Sequence, residues 1–333
     1  MGEFELIERY FKRPARQAVL GVGDDCALWQ PAPGTQLAIS CDMLVEGRHF
    51  LSTVDPLRLG HKALAVNLSD LAACGAKPLA FTLALALPRA EESWAAPFAQ
   101  GLFALADAHD CELIGGDTTR GPLNICITVL GEVTVLAGGR SQALLRSGAQ
   151  AGDELYVSGN LGDARLALEV FRGTLSVPAP VFEAARLRME MPTPRVALGL
   201  ALRGLATAAI DVSDGLLGDL GHILKQSGVG ATVEADTCAT LVAARAAYPP
   251  ALGRPGTEMG PDQWRSLALA GGDDYELLFT APASRRQAVA AAAQASQTPV
   301  TRIGQIDTQL GLRLVDDQGQ ALPNNYTSFD HFA

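Results

Sequence analysis

Short apolar segments that end beside a glycine, a serine or an aspartate recur along this chain, and helical segments lie between them. Segments 36–41, 111–114 and 208–212 are of this kind, and each has an aspartate close to its end. Apolar runs of this length, separated by stretches of helical periodicity, are typical of α/β domains. The pattern therefore predicts a mixed α/β fold.

The length of the chain predicts two domains. Its 333 residues exceed the size at which a single hydrophobic core usually stops growing. The segment Leu136-Ala137-Gly138-Gly139 separates two series of predicted elements and is the best candidate boundary. We predict one domain over residues 1–139 and a second over residues 140–333.

The hydrophobic pattern places the individual elements. In the first domain, it predicts strands over 36–41, 81–87, 111–114 and 124–135, and helices over 57–74 and 93–109. Ser93 is the predicted cap of the second helix. In the second domain, it predicts strands over 154–158, 208–212, 231–234, 275–280, 302–306 and 312–315, and helices over 163–171, 195–205, 216–226, 263–270 and 284–295.

The charge and the hydropathy of the chain argue against nucleic acid and membrane as partners. The formal net charge is −10 and no basic run is present, so we do not expect a nucleic-acid partner. The longest strongly apolar run, Leu79–Leu87, is too short to cross a bilayer, and the segment MGEFELIERY has no apolar signal region. The six cysteines form no C-x-x-C pair. We expect reduced thiols, no membrane partner and a cytoplasmic location.

The usual phosphate-binding motifs are missing from the sequence. No G-x-x-x-x-G-K-[ST] occurs, and the Lys62 of Gly60-His61-Lys62 opens a helix instead of closing a glycine-rich loop. Gly21-Val22-Gly23 is followed by two aspartates, which suits a dinucleotide pyrophosphate badly. A nucleotide site in this chain must therefore bind phosphate through residues other than a glycine-rich loop.

Aspartates could bind phosphate indirectly, through metal ions. Most stand beside small residues, at or just after an apolar strand, whereas Asp70 falls inside the predicted helix 57–74. Mg²⁺ takes one or two carboxylates, keeps several waters and bridges to substrate phosphates. Singly, such residues are more often turn or capping residues. Together they favour metal binding, and the set is Asp24, Asp25, Asp42, Asp70, Asp117, Asp211, Asp214, Asp273 and Asp274.

Two further side chains are candidates for phosphate contacts. His49 follows Gly47-Arg48 in a predicted loop, and Arg146 lies in the segment Leu145-Arg146-Ser147-Gly148. For either residue alone, an ordinary surface position is the more common interpretation. No Ser/His/Asp or Cys/His set is spaced suggestively, so covalent catalysis has no positive support.

Several segments of the chain form an ordered series of motifs. They are GVGDDCAL (21–28), ISCDMLVEGRHF (39–50), KALAVNLSDLAACGA (62–76), LIGGDTTRGP (113–122), RSGAQAGD (146–153), IDVSDGL (210–216), GGDDYEL (271–277) and FDHFA (329–333). In these motifs the chain resembles the thiamine-monophosphate kinases, whose superfamily also contains aminoimidazole ribonucleotide synthetase, selenophosphate synthetase and a hydrogenase-maturation protein. VNLSDLAACGA and GGDT are shared in form across that superfamily, whereas VEGRHF, SDGL and GGDDYEL together indicate the kinase.

The resemblance implies a synthetase-like fold in which the N-terminal domain binds ATP and Mg²⁺ and pairs with its twin in a homodimer. It implies ATP-dependent phosphorylation of thiamine monophosphate, with several Mg²⁺ ions and direct in-line transfer. The implied metal ligands are Asp25, Ser40, Cys41, Asp42, Asp70, Asp117, Asp211 and Asp214, of which Asp42, Asp70 and Asp117 are expected to be catalytic. Gly116, Asp117, Arg146 and Ser213 are expected to meet ATP, and His49, Asp273 and Tyr326 to meet thiamine monophosphate.

Three residues depart from the family pattern. Cys41 replaces a threonine, so a hydroxyl contact is lost while the backbone carbonyl remains. Asp273 replaces a glutamate and is one methylene shorter. Tyr326 replaces a tryptophan, and its aromatic face still suits a thiazolium cation.

Two alternatives stay open at this stage. One is the ring-closing ligase activity of aminoimidazole ribonucleotide synthetase, and the other is a nucleotide-binding maturation protein without turnover of its own. The hydrogenase-maturation relative ends in a cysteine tail, whereas this chain ends in Asp330-His331-Phe332-Ala333. Selenophosphate synthesis is disfavoured because no reactive cysteine lies near the N-terminus.

Overall fold

The computed structural model describes residues 2–247 and 259–327. The predicted terminal motif at 329–333 lies outside them. Within the described ranges no helix combines the length and the apolar character needed to span a membrane.

The chain divides into two compact units. Unit 1 contains the described residues up to Leu71 together with Gly75–Ala143, and unit 2 contains Ala72–Cys74 and the described residues from Leu144 onward. The domain roles and the boundary at residue 139 remain predictions.

Unit 1 is built on a mixed four-stranded sheet. Its strands are β1 (Thr35–Val45), β2 (Lys77–Leu87), β3 (Glu112–Arg120) and β4 (Asn124–Thr134), and its helices are α1 (Glu3–Leu6, continued by a π-helical turn over Ile7–Phe11), α2 (Pro56–Ala73) and α3 (Glu92–Ala108). The strand order is β1-β4-β2-β3. β2 and β3 run parallel, whereas β4 is antiparallel to both of its neighbours.

The two faces of this sheet differ in their covering. On β4, the side chains of Ile125, Ile127 and Val129 are buried. The opposite face carries Ile39 of β1, whose side chain is 64% exposed. Because successive side chains of a strand point to opposite faces, the sheet has one buried face and one open face.

Unit 2 is built on a seven-stranded sheet in the order β11-β10-β7-β9-β5-β8-β6. Its strands are β5 (Asp153–Ser158), β6 (Ala208–Asp211), β7 (Gly230–Glu234), β8 (Leu277–Pro282), β9 (Val300–Asp307), β10 (Gly311–Val315) and β11 (Ala321–Leu322). Its helices are α4 (Asp163–Phe171), α5 (Ala179–Glu190), α6 (Val196–Ala201), α7 (Leu216–Ser227), α8 (Ala235–Thr240), α9 (Ala243–Ala246), α10 (Pro261–Ala270) and α11 (Arg286–Ala295). Among the described strands of this unit, β7 and β10 pair in parallel and the other neighbouring pairs are antiparallel.

Most of the predicted elements are confirmed, but two strand ends are wrong in a way that matters for the site. β1 was expected to stop before Asp42, yet Asp42 pairs with Ile127 inside the strand. β3 was expected to stop at Ile114, yet Asp117 pairs with Ala84. The ladder hydrogen bonds offered by neighbouring strands outweigh the weak strand propensity of glycine and aspartate. These two aspartates therefore lie within strands and not at loop tips.

Three smaller predictions are also wrong. Helix α3 begins at Glu92 with Glu91 as its N-cap, and no side chain caps it, so Ser93 lies inside the first turn. The helix predicted over 195–205 covers only Val196–Ala201. Helix α5 was missed, because Pro178-Ala179-Pro180 resembles a loop although proline is well tolerated in a first helical turn.

A buried carboxylate ties together the middle strands of unit 2. Glu154 on β5 accepts hydrogen bonds from the Tyr156 hydroxyl at 2.5 Å, from Nε of Arg302 at 3.1 Å, and from Arg286. The hydrogen bond from Arg286, which outweighs the opposing effect of burial, lowers the pKa of Glu154 to about 2.

We expect Glu154→Gln to lower the free energy of unfolding by about 2 kcal/mol at pH 7, because two arginines lose their ionised partner. The folded-state pKa lies below the ordinary value of 4.5, so the ionised carboxylate stabilises the fold above about pH 4.5 and this contribution is lost as the pH falls toward 2. Urea unfolding of both proteins across this pH range tests the prediction. A difference that stays constant with pH would contradict it, and the exposed Glu183→Gln is the control.

Candidate active site

A polar seam joins β1 to α2 in unit 1. The Ser40 hydroxyl donates to Oδ2 of Asp70, and the backbone N–H of Asp42 donates to Oδ1 of Asn67 at 3.1 Å. Asn67 is buried and its amide nitrogen donates to the Ala63 carbonyl at 3.0 Å. Three of the predicted metal ligands, Ser40, Asp42 and Asp70, therefore lie along one contact between a strand and a helix.

Cys41 lies on the other side of the same strand. Its sulfur is 3.4 Å from Sγ of Cys126 on β4, at the open face of the sheet. Burial and the contact with Cys41 raise the pKa of Cys126 to about 11. Since Cys41 alternates with Ser40 and Asp42, only its main chain lies beside the seam, and the thiol is directed away from it.

Asp117 is also separated from that seam by the strand alternation. It pairs with Ala84, which in turn pairs with Cys126, so Asp117 belongs to the open face. Its neighbour Gly116 has φ of 150°, and a side chain there would overlap the Leu83 carbonyl. Glycine at 116 is thus explained by the packing of β3 against β2.

Asp25 and His49 stand on two loops of unit 1. The Asp25 loop is closed by the backbone hydrogen bond from Leu28 N–H to the Leu20 carbonyl, 2.9 Å, and Asp25 is exposed. The backbone N–H of Val45 donates to Nδ1 of His49 at 3.0 Å. A neutral imidazole whose Nδ1 accepts a hydrogen bond carries its proton on Nε2, so His49 presents a donor at Nε2.

In unit 2, the SDGL segment begins directly after β6. Asp211 is the last residue of the strand, and Ser213 and Asp214 form the turn into α7. The backbone N–H groups of Ser213 and Asp214 donate to Oδ2 of Asp219 at 3.0 and 3.2 Å. Burial and the negative charge of Asp214 raise the pKa of Asp219 to about 7. The carboxylate of Asp219 thus holds the backbone of this turn and lies near the charge of Asp214.

The GGDDYEL segment packs against this turn. The Asp273 N–H donates to the Ser213 carbonyl at 2.7 Å. Asp274 is buried, its Oδ1 accepts from the Gly162 N–H at 2.9 Å, and burial raises its pKa well above the ordinary value. Of the two neighbouring aspartates, Asp273 is therefore the one placed beside Ser213, and Asp274 anchors the start of α4.

Arg146 and Tyr326 are the remaining predicted residues of unit 2. Arg146 is exposed, and its carbonyl accepts from the Ser227 hydroxyl at 3.3 Å. Tyr326 packs against the core of the unit. Burial and the nearby charge of Asp262 raise the pKa of Tyr326.

The oxygen atoms of these side chains suit a hard cation, but they do not form a complete coordination shell. Within residues 2–247 and 259–327, no three His, Cys, Asp or Glu side chains are grouped as a metal site. The seam of unit 1 offers carboxylate and hydroxyl oxygens, which are the donors that Mg²⁺ prefers. Mg²⁺ keeps waters and binds substrate phosphates, so an incomplete protein shell is compatible with it.

Two acceptors in this region were missed from the sequence. Asn67 stands three residues before Asp70 on α2, and that spacing places both on one helix face. Asp219 lies in the first turn of α7, where a carboxylate accepts hydrogen bonds from the preceding backbone. Either residue could have been found by its short distance along the sequence from an aspartate that the sequence analysis had selected, namely Asp70 or Asp214.

Comparisons with known proteins identify relatives over both units of the chain. Residues 23–133 match the N-terminal domain and residues 150–317 the C-terminal domain of AIR synthase related proteins. The thiamine-monophosphate kinase of Salmonella typhimurium is 44% identical over 337 residues, covering 100% of this chain and 98% of the relative.

Two solved structures are similar as well. Thiamine-monophosphate kinase from Stenotrophomonas maltophilia K279a is 47% identical, with a TM-score of 0.80 and coverage of 96% of both chains. AaThiL, complexed with AMPPCP and TMP, is 28% identical, with a TM-score of 0.73 and coverage of 91% of this chain and 89% of that one.

The two domain matches and the acidic turns define the class, which is that of the AIR synthase related proteins. Within that class, the similarity over the full chain shows that this protein belongs to the thiamine-monophosphate kinase family. The predicted family and fold class are thereby confirmed.

We expect Asn67→Leu to lower the free energy of unfolding by about 1–3 kcal/mol, because the Asp42 N–H loses its hydrogen-bond acceptor. Urea unfolding measures the change. The exposed Asn324→Leu is the control, and equal stability of the two variants would show that the seam is not needed for the fold.

Proposed function

We propose that this protein transfers the γ-phosphoryl group of ATP to thiamine monophosphate and so forms thiamine diphosphate. The observation that carries the proposal is the 44% identity to a thiamine-monophosphate kinase over the whole chain. The complex of AaThiL with AMPPCP, an ATP analogue, and TMP supports both substrates.

The chemistry of the acceptor agrees with the side chains available. Thiamine monophosphate is a phosphate monoester, whose second pKa is about 6. Its phosphate is therefore largely ionised at neutral pH and needs no general base. The two anions must instead be brought together in line, which is a matter of positioning and of charge neutralisation.

Several Mg²⁺ ions are proposed to reduce the repulsion between the two substrates. In unit 1, Ser40, Asp42 and Asp70 of the seam would hold metal, with the main chain of Cys41 and the exposed Asp25 and Asp117 as further ligands. In unit 2, Asp211 and Asp214 would do so. The hard oxygen donors of the seam support this assignment.

The remaining residues are proposed to bind the substrates. Gly116, Asp117, Arg146 and Ser213 would meet ATP, and His49, Asp273 and Tyr326 would meet thiamine monophosphate. The Nε2 proton of His49 makes it a hydrogen-bond donor suited to a phosphate oxygen. Asp273 supplies a negative charge and Tyr326 an aromatic face, which together suit the cationic acceptor.

An ATP-consumption assay with each candidate acceptor tests the function. We expect Mg²⁺-dependent formation of thiamine diphosphate with thiamine monophosphate, and loss of turnover when EDTA removes the metal. Turnover only with a formylglycinamidine substrate would identify the ligase alternative. ATP binding without turnover of any acceptor would identify a maturation protein.

Asp42→Asn and Asp70→Asn are the informative variants in the same assay. Each removes a negative charge from the seam without changing side-chain volume, and we expect kcat to fall by about 100-fold or more. The exposed Asp317→Asn serves as the control. Near-normal turnover in either seam variant would contradict the proposed role of the metal.

We further propose that the open face of the unit 1 sheet pairs with a second copy of this chain. Leu37, Ile39 and Met43 of β1 are 41%, 64% and 53% exposed on that face. Adjacent exposed apolar side chains on a sheet are typical of a surface that is covered in an assembly. The family resemblance supports a homodimer as the occupant.

We expect Ile39→Lys to convert the dimer into a monomer, because a charge would be buried at the interface. Sedimentation velocity measures the mass. Leu310→Lys is the matched control, since Leu310 is 69% exposed in unit 2. A wild-type monomer, or an Ile39→Lys dimer, would contradict this surface as the interface.

A further inference from the structure

Glu276 has no role in the function proposed so far, although it belongs to the GGDDYEL segment. Its side chain is 0% exposed. Its carboxylate accepts from Arg188 Nη2 at 2.7 Å and from Arg195 Nε and Nη2, both at 2.6 Å. It also accepts from the Ser158 hydroxyl at 2.6 Å. A buried carboxylate with this many partners is fixed in position.

The main chain of the same segment holds the SDGL turn. The Glu276 carbonyl accepts from the Val212 N–H, and the Val212 carbonyl accepts from the Tyr275 N–H, both at 2.8 Å. The Asp273 N–H continues the pattern onto Ser213. Ser213 and Asp273, which are proposed to meet different substrates, are thus connected through one short stretch of backbone.

That stretch has a conformation that needs support. Asp273 and Tyr275 have φ of 63° and 53°, in the left-handed region that residues with a side chain rarely adopt. Such conformations persist where the surroundings determine them. The residue that follows this pair, Glu276, is the one with the buried ionic contacts.

The partners of Glu276 come from separate parts of unit 2. Ser158 ends β5, Arg188 lies on α5, and Arg195 precedes α6. A side chain at Gly159 would collide with the carboxylate, so the chain passes directly beside it. One carboxylate therefore connects the strained segment to three elements.

We propose that Glu276, through Arg188 and Arg195, is a positioning residue that fixes Asp273 and Ser213 for the acceptor and for ATP. Because its side chain is 0% exposed, Glu276 would act through these neighbours and not by contact with a substrate. This inference rests on the proposed function for the roles of Asp273 and Ser213.

Glu154 provides a matched comparison within the same unit. Like Glu276, it is a buried glutamate paired with two arginines, here Arg286 and Arg302. Its side-chain hydrogen bonds within the described part of the chain go to Tyr156, Arg286 and Arg302, none of which adjoins residues 211–214 or 271–275. Glu154→Gln and Glu276→Gln therefore remove equivalent charges, and only the second removes one beside the two turns.

The experiment compares steady-state kinetics and nucleotide binding of these two variants with wild type. We expect Glu276→Gln to lower kcat/KM for thiamine monophosphate by about 10- to 100-fold, with a raised KM for both substrates, because misplaced binding groups have effects of this size. We expect Glu154→Gln to keep both KM values within about twofold of wild type. A purely structural defect lowers the fraction of active enzyme and leaves KM unchanged.

Two further measurements make every outcome informative. Arg195→Lys keeps the charge but loses the two-pronged contact, so it should raise the same KM values to a smaller extent if Glu276→Gln fails to fold. The Kd of AMPPCP with Mg²⁺ reports on Ser213 without turnover. If the Glu276 and Glu154 variants have equal KM and Kd values, the positioning role is overturned. If the wild-type protein binds AMPPCP but does not phosphorylate thiamine monophosphate, the proposed function is overturned instead.

Discussion

The two-residue period of the β-strand governs the candidate site of unit 1. Ser40, Cys41 and Asp42 are consecutive, yet the strand sends the first and third toward α2 and the second toward the open face. The same period assigns Asp117 to the open face through its pairing with Ala84. Any metal bound at the seam therefore meets the side chains of Ser40 and Asp42 and only the main chain of Cys41.

In unit 2 the candidate residues are placed differently, because backbone hydrogen bonds from a neighbouring segment hold the turns that carry them. The GGDDYEL segment runs beside the end of β6 and the turn after it, and Asp273 binds the Ser213 carbonyl through its N–H. Gly272 leaves no room for a side chain against that turn. The acidic turn is consequently set by its contacts with residues more than fifty positions away in the sequence.

The buried carboxylates of unit 2 differ in the partners that hold them. Asp274 and Asp219 are buried, and burial raises the pKa of each. Their carboxylates accept backbone hydrogen bonds from Gly162 and from the SDGL turn, respectively. Glu154 and Glu276 are also buried, but each is paired with two arginines. The carboxylates of Asp274 and Asp219 thus hold backbone N–H groups, those of Glu154 and Glu276 hold arginines, and Asp214 and Asp273 are less buried than these four.

Local sequence patterns determined the element types of this protein and the selection of its acidic residues, because apolar periodicity, glycines and aspartate spacing act within a few residues. Helices α2 and α4 were predicted almost to the residue for this reason. The tertiary structure alone decided that Asp42 and Asp117 lie inside strands, because their ladder partners Ile127 and Ala84 come from distant segments. The tertiary structure also decided the contacts of Asn67 and Glu276. Their hydrogen-bond partners come from other elements, and the local hydrophobic pattern does not reveal such partners.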